Sequence, residues 1–188
     1  MEVKGSAGIH PYHNPNAVPF EFRARHDLLL WKRRVNLILK EVLGHKPDVV
    51  CLQEVRDTQM AMPNLHHLYG MCMQVDHFDE IETALKKEGF AGVFHMKAGG
   101  PRVKDGSAIF WRTARFQLSE WQGVPLKENI MTAVMVRLLP AHALHGDKTQ
   151  PLVVCSTHLK AGFNNPAEHV RHKQTMELLA QLDAFAKA

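Results

Sequence analysis

The 188-residue chain is poor in several things, and each shortage removes a class of protein. Three cysteines, Cys51, Cys72 and Cys155, are too few and too scattered for a disulfide framework. Two of them sit inside apolar runs, which predicts reduced, buried thiols in a reducing compartment. No apolar run approaches the roughly 18 residues a membrane span needs, and the first residues lack the basic-then-apolar pattern of a secretory leader. There are no internal repeats, and no linker composition divides the chain into two domains. Charge of one sign is also modest. Net charge is +4 with 13 histidines, which suits an anionic ligand but does not by itself argue for nucleic acid. What remains is an ordinary globular composition, 45% hydrophobic and 22% charged.

Residues 1–20 carry Gly, Pro, His and Asn without a period and read as a loop or disordered tail. From about Glu21 to Leu43 the pattern is helical. Leu28, Trp31, Val35, Ile38, Leu39 and Val42 form one apolar stripe, Lys32, Arg33, Arg34 and Lys40 lie opposite, and Gly44 is placed as the C-cap. Lys46-Pro47-Asp48 then breaks the helix, and Val49 to Val55 reads as a buried strand. That strand ends on a carboxylate, Glu54, beside Gln53. A buried acid without a partner is costly, and strand tips in α/β proteins are where ligands sit. Glu54 is therefore read as a metal ligand.

Arg56 to Gln74 has no period. It holds four methionines and His66-His67, which as adjacent residues do not share one element face. Asp76–Gly89 is helical, with Phe78, Ile81, Ala84 and Leu85 as its stripe and Gly89 as its cap. Short strands follow at Phe90–His95 and Ser107–Trp111, an edge strand at Phe116–Trp121, and a strand at Thr132–Leu139. His142–Gln150 reads as a hairpin loop. Leu152–Thr157 reads as a strongly buried strand. After the loop 161–166, a helix over 167–187 is predicted with Val170, Met176, Leu179, Leu182 and Phe185 on its apolar face. His158 and Lys160 stand just past the end of the preceding strand, two residues apart, so both can face one cleft. A carboxylate, an imidazole and an ammonium together suit a phosphate held with a hard cation such as Mg2+.

Several motifs, in order, add a resemblance. Pro47 to Val55 resembles the first metal-ligand motif of the endonuclease/exonuclease/phosphatase superfamily. Asp105-Gly106-Ser107-Ala108-Ile109-Phe110-Trp111, followed by Arg115-Phe116, is similar to a segment of its deadenylase and nocturnin branch. Ser156-Thr157-His158-Leu159-Lys160-Ala161, and then Glu168, Arg171 and Gln174 in an E-x-x-R-x-x-Q pattern, resemble the nocturnin-like members. Trp31 to Leu43 is similar to the family's W-x-x-R helix. The resemblance covers most of residues 30–185.

It implies a four-layered α/β sandwich and Mg2+-dependent cleavage of a phosphate ester by activated water. Glu54 matches the metal-binding glutamate, His158 the catalytic, phosphate-contacting histidine, and Lys160 a phosphate-binding lysine. The implied substrates are nucleotides: the 2′-phosphate of NADP(H), or the 3′ end of poly(A) RNA. The implied location is cytoplasmic or mitochondrial, with no membrane partner. The family's first strand with its Asn, its Asp-x-Asn strand end and its final Asp-His pair have no match here, and Gly162 stands where nocturnin-like members place an Arg. Residues 21–188 are thus expected to be a partial domain, incomplete at the C-terminal side, with 56–75 as an atypical insertion: a retained intron or a surface loop. A Mg2+ phosphoesterase is one reading. A truncated relative that binds nucleotide or a protein partner without turnover is the other.

Overall fold

The computed structural model describes residues 31–56, 77–98, 105–126, 131–142 and 150–187. Residues 1–30, and with them the tail and the front of the first predicted helix, lie outside these, as does the segment 57–76. The chain divides at Ile38 into two compact units. The first contributes the opening turns of α1 (Trp31–Gly44), whose Val35 is buried and whose Leu37 is exposed. Gly44 is not the left-handed cap it was expected to be. His45 and Lys46 continue the turn by donating to the carbonyls of Val42 and Leu43, and Lys46 takes the positive φ of 51°.

The unit from Leu39 onward holds six strands in two antiparallel sheets. Sheet A has the order β1 (Val49–Arg56), β3 (Asp105–Arg112), β2 (Phe90–Met96). Sheet B has the order β4 (Phe116–Pro125), β5 (Thr132–Pro140), β6 (Leu152–Thr157). Alternation sends Ile109 and Trp111 to one face of β3, where they meet Val134, Val136 and Leu138 of β5, with Val49, Ala91, Val93 and Val154 packed around them. This apolar layer stacks the sheets, with β1 over β6, β3 over β5, and β2 over β4.

The outer face of sheet A carries α2 (His77–Lys87). Its first turn has Asp79 and Glu80 and its last has Lys86 and Lys87, the order that suits the helix dipole. Gly89 at φ 81° ends it as anticipated. Phe78 of α2 lies 4.9 Å from the Phe94 ring and 5.8 Å from that of Phe110. The outer face of sheet B carries α3 (Asn165–Lys187). Asn164 caps it, its side-chain oxygen accepting from the Ala167 N–H at 3.0 Å, and Pro166 sits in the first turn, where no N–H is needed. At the far end the Arg137 guanidinium donates to the Phe185 carbonyl and lies 5.0 Å from that residue's ring. The result is the expected four-layered α/β sandwich: α2, sheet A, sheet B, α3.

Three expectations fail in detail. The predicted α3 stripe holds only in part: Phe185 is buried and Leu182 packs against sheet B as expected, but Met176 and Leu179 are exposed, while Ala167 and Gln174, outside the predicted stripe, are buried. The buried middle of this helix is polar because Gln174 bonds a neighbouring loop, so an apolar-only stripe misses it. Among the described residues β1 and β6, expected as buried strands, stand at the edges of their sheets. For that reason Cys51 is exposed rather than buried. Cys155 is half-buried, and burial together with the neighbouring Cys51 pushes its thiol up to about 11.

Two consequences are measurable by thermal or denaturant unfolding. Phe110→Ala, at a fully buried ring between α2 and sheet A, should destabilise the chain by about 3–5 kcal/mol. Met176→Lys on the exposed face of α3 should change stability by no more than about 0.5 kcal/mol, whereas Leu182→Ala should cost about 2 kcal/mol or more.

Candidate phosphate-ester site

Gln53 pairs with Ser107 and Val55 with Gly106, so Glu54 is the extra residue of a β-bulge. Its φ is 56°, a left-handed conformation without a glycine's freedom to ease it. Such a conformation costs on the order of 1–3 kcal/mol and gathers where a side chain must be aimed. A regular strand would alternate faces here; the bulge interrupts the alternation. The Glu54 carboxylate is left exposed, with Oε1 3.5 Å from Nδ1 of His158.

His158 arrives from the other sheet. It follows Thr157, whose hydroxyl donates to the Thr132 carbonyl at 3.1 Å, while the Thr132 hydroxyl donates to the Val124 carbonyl at 3.0 Å. These two bonds knit all three strands of sheet B at the site end. One residue before Thr157, the buried Ser156 hydroxyl accepts from the Gln53 amide at 3.1 Å. That bond joins β1 to β6 directly and sets the bulge beside His158. The His158 Nδ1 atom is buried and makes no hydrogen bond; at 3.5 Å the carboxylate is in electrostatic reach only. The carboxylate holds the buried side of the imidazole by charge, and its own exposed face stays open to a further partner.

The segment after His158 is held from α3. The Lys160 N–H donates to Oε1 of Gln174 at 2.9 Å. Arg171 Nη1 donates to the carbonyls of Lys160 at 2.9 Å and Gly162 at 2.6 Å, and Arg171 is steadied by Glu168. The E-x-x-R-x-x-Q pattern therefore clamps the backbone on which Lys160 stands. The contacts that hold Lys160 are made by its backbone, while Glu54 and His158 are brought together through their side chains. Asp105 of the DG segment pairs with the nearly buried Lys97 at 2.5 Å and closes the β2–β3 hairpin at the same end.

Among the described residues no three His, Cys, Asp or Glu side chains cluster as a metal-ligand set. One exposed carboxylate remains a fitting donor for a hard cation that keeps several waters and takes further oxygens from a phosphate. Sequence reasoning singled out Glu54, His158 and Lys160, of which the structure brings the Glu54 and His158 side chains together. It missed the bulge, for which no glycine gives a signal, and the cross-sheet bond of Gln53 to Ser156. It also missed the polar row behind them, Gln53–Ser107–His95, which only the strand register reveals.

Comparison with known proteins agrees with this architecture. Nocturnin of Drosophila melanogaster is 27% identical over 175 residues, a match covering 87% of this chain and 23% of that protein. The human Nocturnin catalytic domain with bound sulfate superposes with a TM-score of 0.62 at 25% identity, covering 86% of this chain and 54% of that one. ANGEL2, a 2′,3′-cyclic phosphatase in complex with adenosine-2′,3′-vanadate, gives 0.64 at 26% identity, covering 86% and 41%. The chain thus spans about half or less of the length of these relatives. The model of the Endonuclease/Exonuclease/phosphatase family matches residues 12–186, and with motifs, sandwich and site end in agreement, the chain belongs to that family, in its nocturnin-like branch.

Proposed function

We propose that this chain carries part of a Mg2+-dependent phosphoesterase acting on a nucleotide, either the 2′-phosphate of NADP(H) or the 3′ end of poly(A) RNA. The observation that carries the reading is the approach of Glu54 to His158 across two sheets, at a bulge where Glu54 takes a left-handed backbone conformation. Relatives named for a 2′,3′-cyclic phosphatase activity and for binding sulfate support an anionic phosphate-like ligand.

Glu54 is the residue that would hold the cation. When bound, the cation would neutralise phosphoryl charge and polarise the ester. His158, beside the carboxylate, hydrogen-bonds a phosphoryl oxygen or orients the attacking water. Lys160, on its clamped backbone, adds a positive charge toward the same oxygens. Arg171 and Gln174 do no chemistry but fix where that charge stands. A second reading, nucleotide binding without turnover, draws on the absence of a three-residue ligand cluster among the described residues.

Incubation of the purified chain with NADPH or oligo(A), with and without Mg2+, separates the readings. Release of phosphate or AMP that EDTA stops, and that falls about 100-fold or more in Glu54→Gln, supports the enzyme. Mg2+-dependent binding by calorimetry without release supports the second reading, and neither binding nor release overturns both. For either ligand, Lys160→Ala should weaken binding about tenfold. Gln174→Ala, which frees the Lys160 N–H, should do so by a smaller factor and also lower the melting temperature.

A further inference from the structure

The backbone that carries Lys160 runs on into a short turn, and α3 bonds that turn at every second residue. Lys160 is held through its N–H by Gln174 and through its carbonyl by Arg171. The carbonyl of Gly162 accepts from the same Nη1 of Arg171. Asn164 is held twice: its side-chain oxygen accepts from the Ala167 N–H, and its carbonyl from the Glu168 N–H at 3.1 Å. Between these fixed points stand Ala161 and Phe163, both exposed. Gly162 has room for no side chain: at its φ of 130° a Cβ would fall 2.9 Å from that of Ala167. Ala161 offers only a methyl group, and the side chain of Asn164 is engaged in the cap. One large side chain therefore leaves this turn, the ring of Phe163.

That ring is 85% exposed, more than any other large apolar side chain among the described residues. Burial of an aromatic ring is favourable, so an exposed one needs a cause. Here the bonds on either side fix where the ring emerges. It emerges close to the charge. Three residues of chain span at most about 10 Å, and one Arg171 nitrogen gathers the carbonyls of both Lys160 and Gly162, so the turn is drawn tighter than that. An aromatic ring held rigidly in the open beside a cationic group is the arrangement on which nucleic-acid bases stack. A nucleotide carries its phosphate and its base on one sugar, so the two parts can be met by neighbouring residues of one turn.

We propose that Phe163 is the base-stacking residue of this site: with the phosphate beside His158 and Lys160, its ring takes the face of the adenine that both candidate nucleotides carry. The inference rests on the phosphate-ester reading above and narrows it. Esters that carry an aromatic base are bound well, whereas sugar phosphates and inorganic phosphate are bound poorly. Stacking uses a π-face and not a hydrogen-bond pattern, so an aliphatic side chain of similar size does not replace the ring.

The test is calorimetric binding to the whole chain, in the presence of Mg2+, of two probes that differ in the base: AMP and ribose 5-phosphate. Wild type is compared with Phe163→Ala, Phe163→Leu and Phe163→Trp. Because the ring is exposed, all four should melt at closely similar temperatures. Wild type should bind AMP about tenfold more tightly than ribose 5-phosphate. Phe163→Ala and Phe163→Leu should each remove that advantage, Phe163→Trp should keep it, and the affinity for ribose 5-phosphate should be the same in all four. Equal affinity of wild type for the two probes, or an AMP affinity that survives in Phe163→Ala or Phe163→Leu, overturns the proposal. A parallel loss of both affinities in Phe163→Ala overturns it too, since the ring then serves the shape of the turn. Glu54→Gln separates this failure from that of the underlying reading. If ribose 5-phosphate binds and Glu54→Gln weakens it while the base adds nothing, the phosphate site stands and stacking falls. If neither probe binds, or Glu54→Gln affects neither, the phosphate site falls and stacking with it.

Discussion

The site exists because two sheets are stacked with β1 over β6. Neither strand alone brings chemistry together. Glu54 is a lone acid on an edge and His158 a lone imidazole beyond another edge. The apolar layer of Ile109, Trp111, Val134, Val136 and Leu138 sets the sheets at van der Waals distance, and the Gln53–Ser156 bond then chooses which residues of the two edges face each other. Burial supplies the cohesion and is indifferent to register. A hydrogen bond is worth only about 1 kcal/mol net, but it is directional, and here it places the carboxylate beside the imidazole.

A second theme is the use of polar groups as scaffolding. Gln174 is fully buried yet points its amide at a loop rather than a core. Arg171 gathers two carbonyls of that loop. At the opposite end of sheet A, Arg112 lies over the Phe90 ring and donates to the carbonyl of Glu88, with Asp48 close by. These contacts satisfy backbone groups that loops would otherwise leave unpaired. They also explain why a family pattern such as E-x-x-R-x-x-Q need contain no residue that touches a ligand.

Much of this was legible in the sequence, for physical reasons that differ by element. α2 announced itself through a clean stripe and a terminal glycine. β3 did so through Asp105-Gly106 followed by an apolar run. The strand ends bearing Glu54 and His158 stood out because polar groups closed apolar runs. The edge placement of β1 and β6 did not, since an edge strand covered on one face reads like a central one. The C-terminal end of the α3 face, with Leu182 and Phe185, was legible, but its middle was hidden by Gln174, a polar residue at a buried position. The Gln53–Ser107–His95 row was out of reach, because it joins residues on three strands that only the sheet register brings together.

The Gln53–Ser156 contact spans 103 residues of chain. Contacts of such separation pay loop-closure entropy before they return any energy, and they form late. Sheet A can pair while β6 is still unmade, so a chain emerging from the ribosome at about 5–20 residues per second carries Glu54 without its cross-sheet neighbours for some seconds. During that interval the strained bulge has no Ser156 to hold it and no imidazole beside it. Before and after that interval β1 stands at the end of its three-stranded sheet, and a charge on such an edge discourages pairing with a stranger. The same carboxylate that would hold a cation would also keep the edge of sheet A to itself.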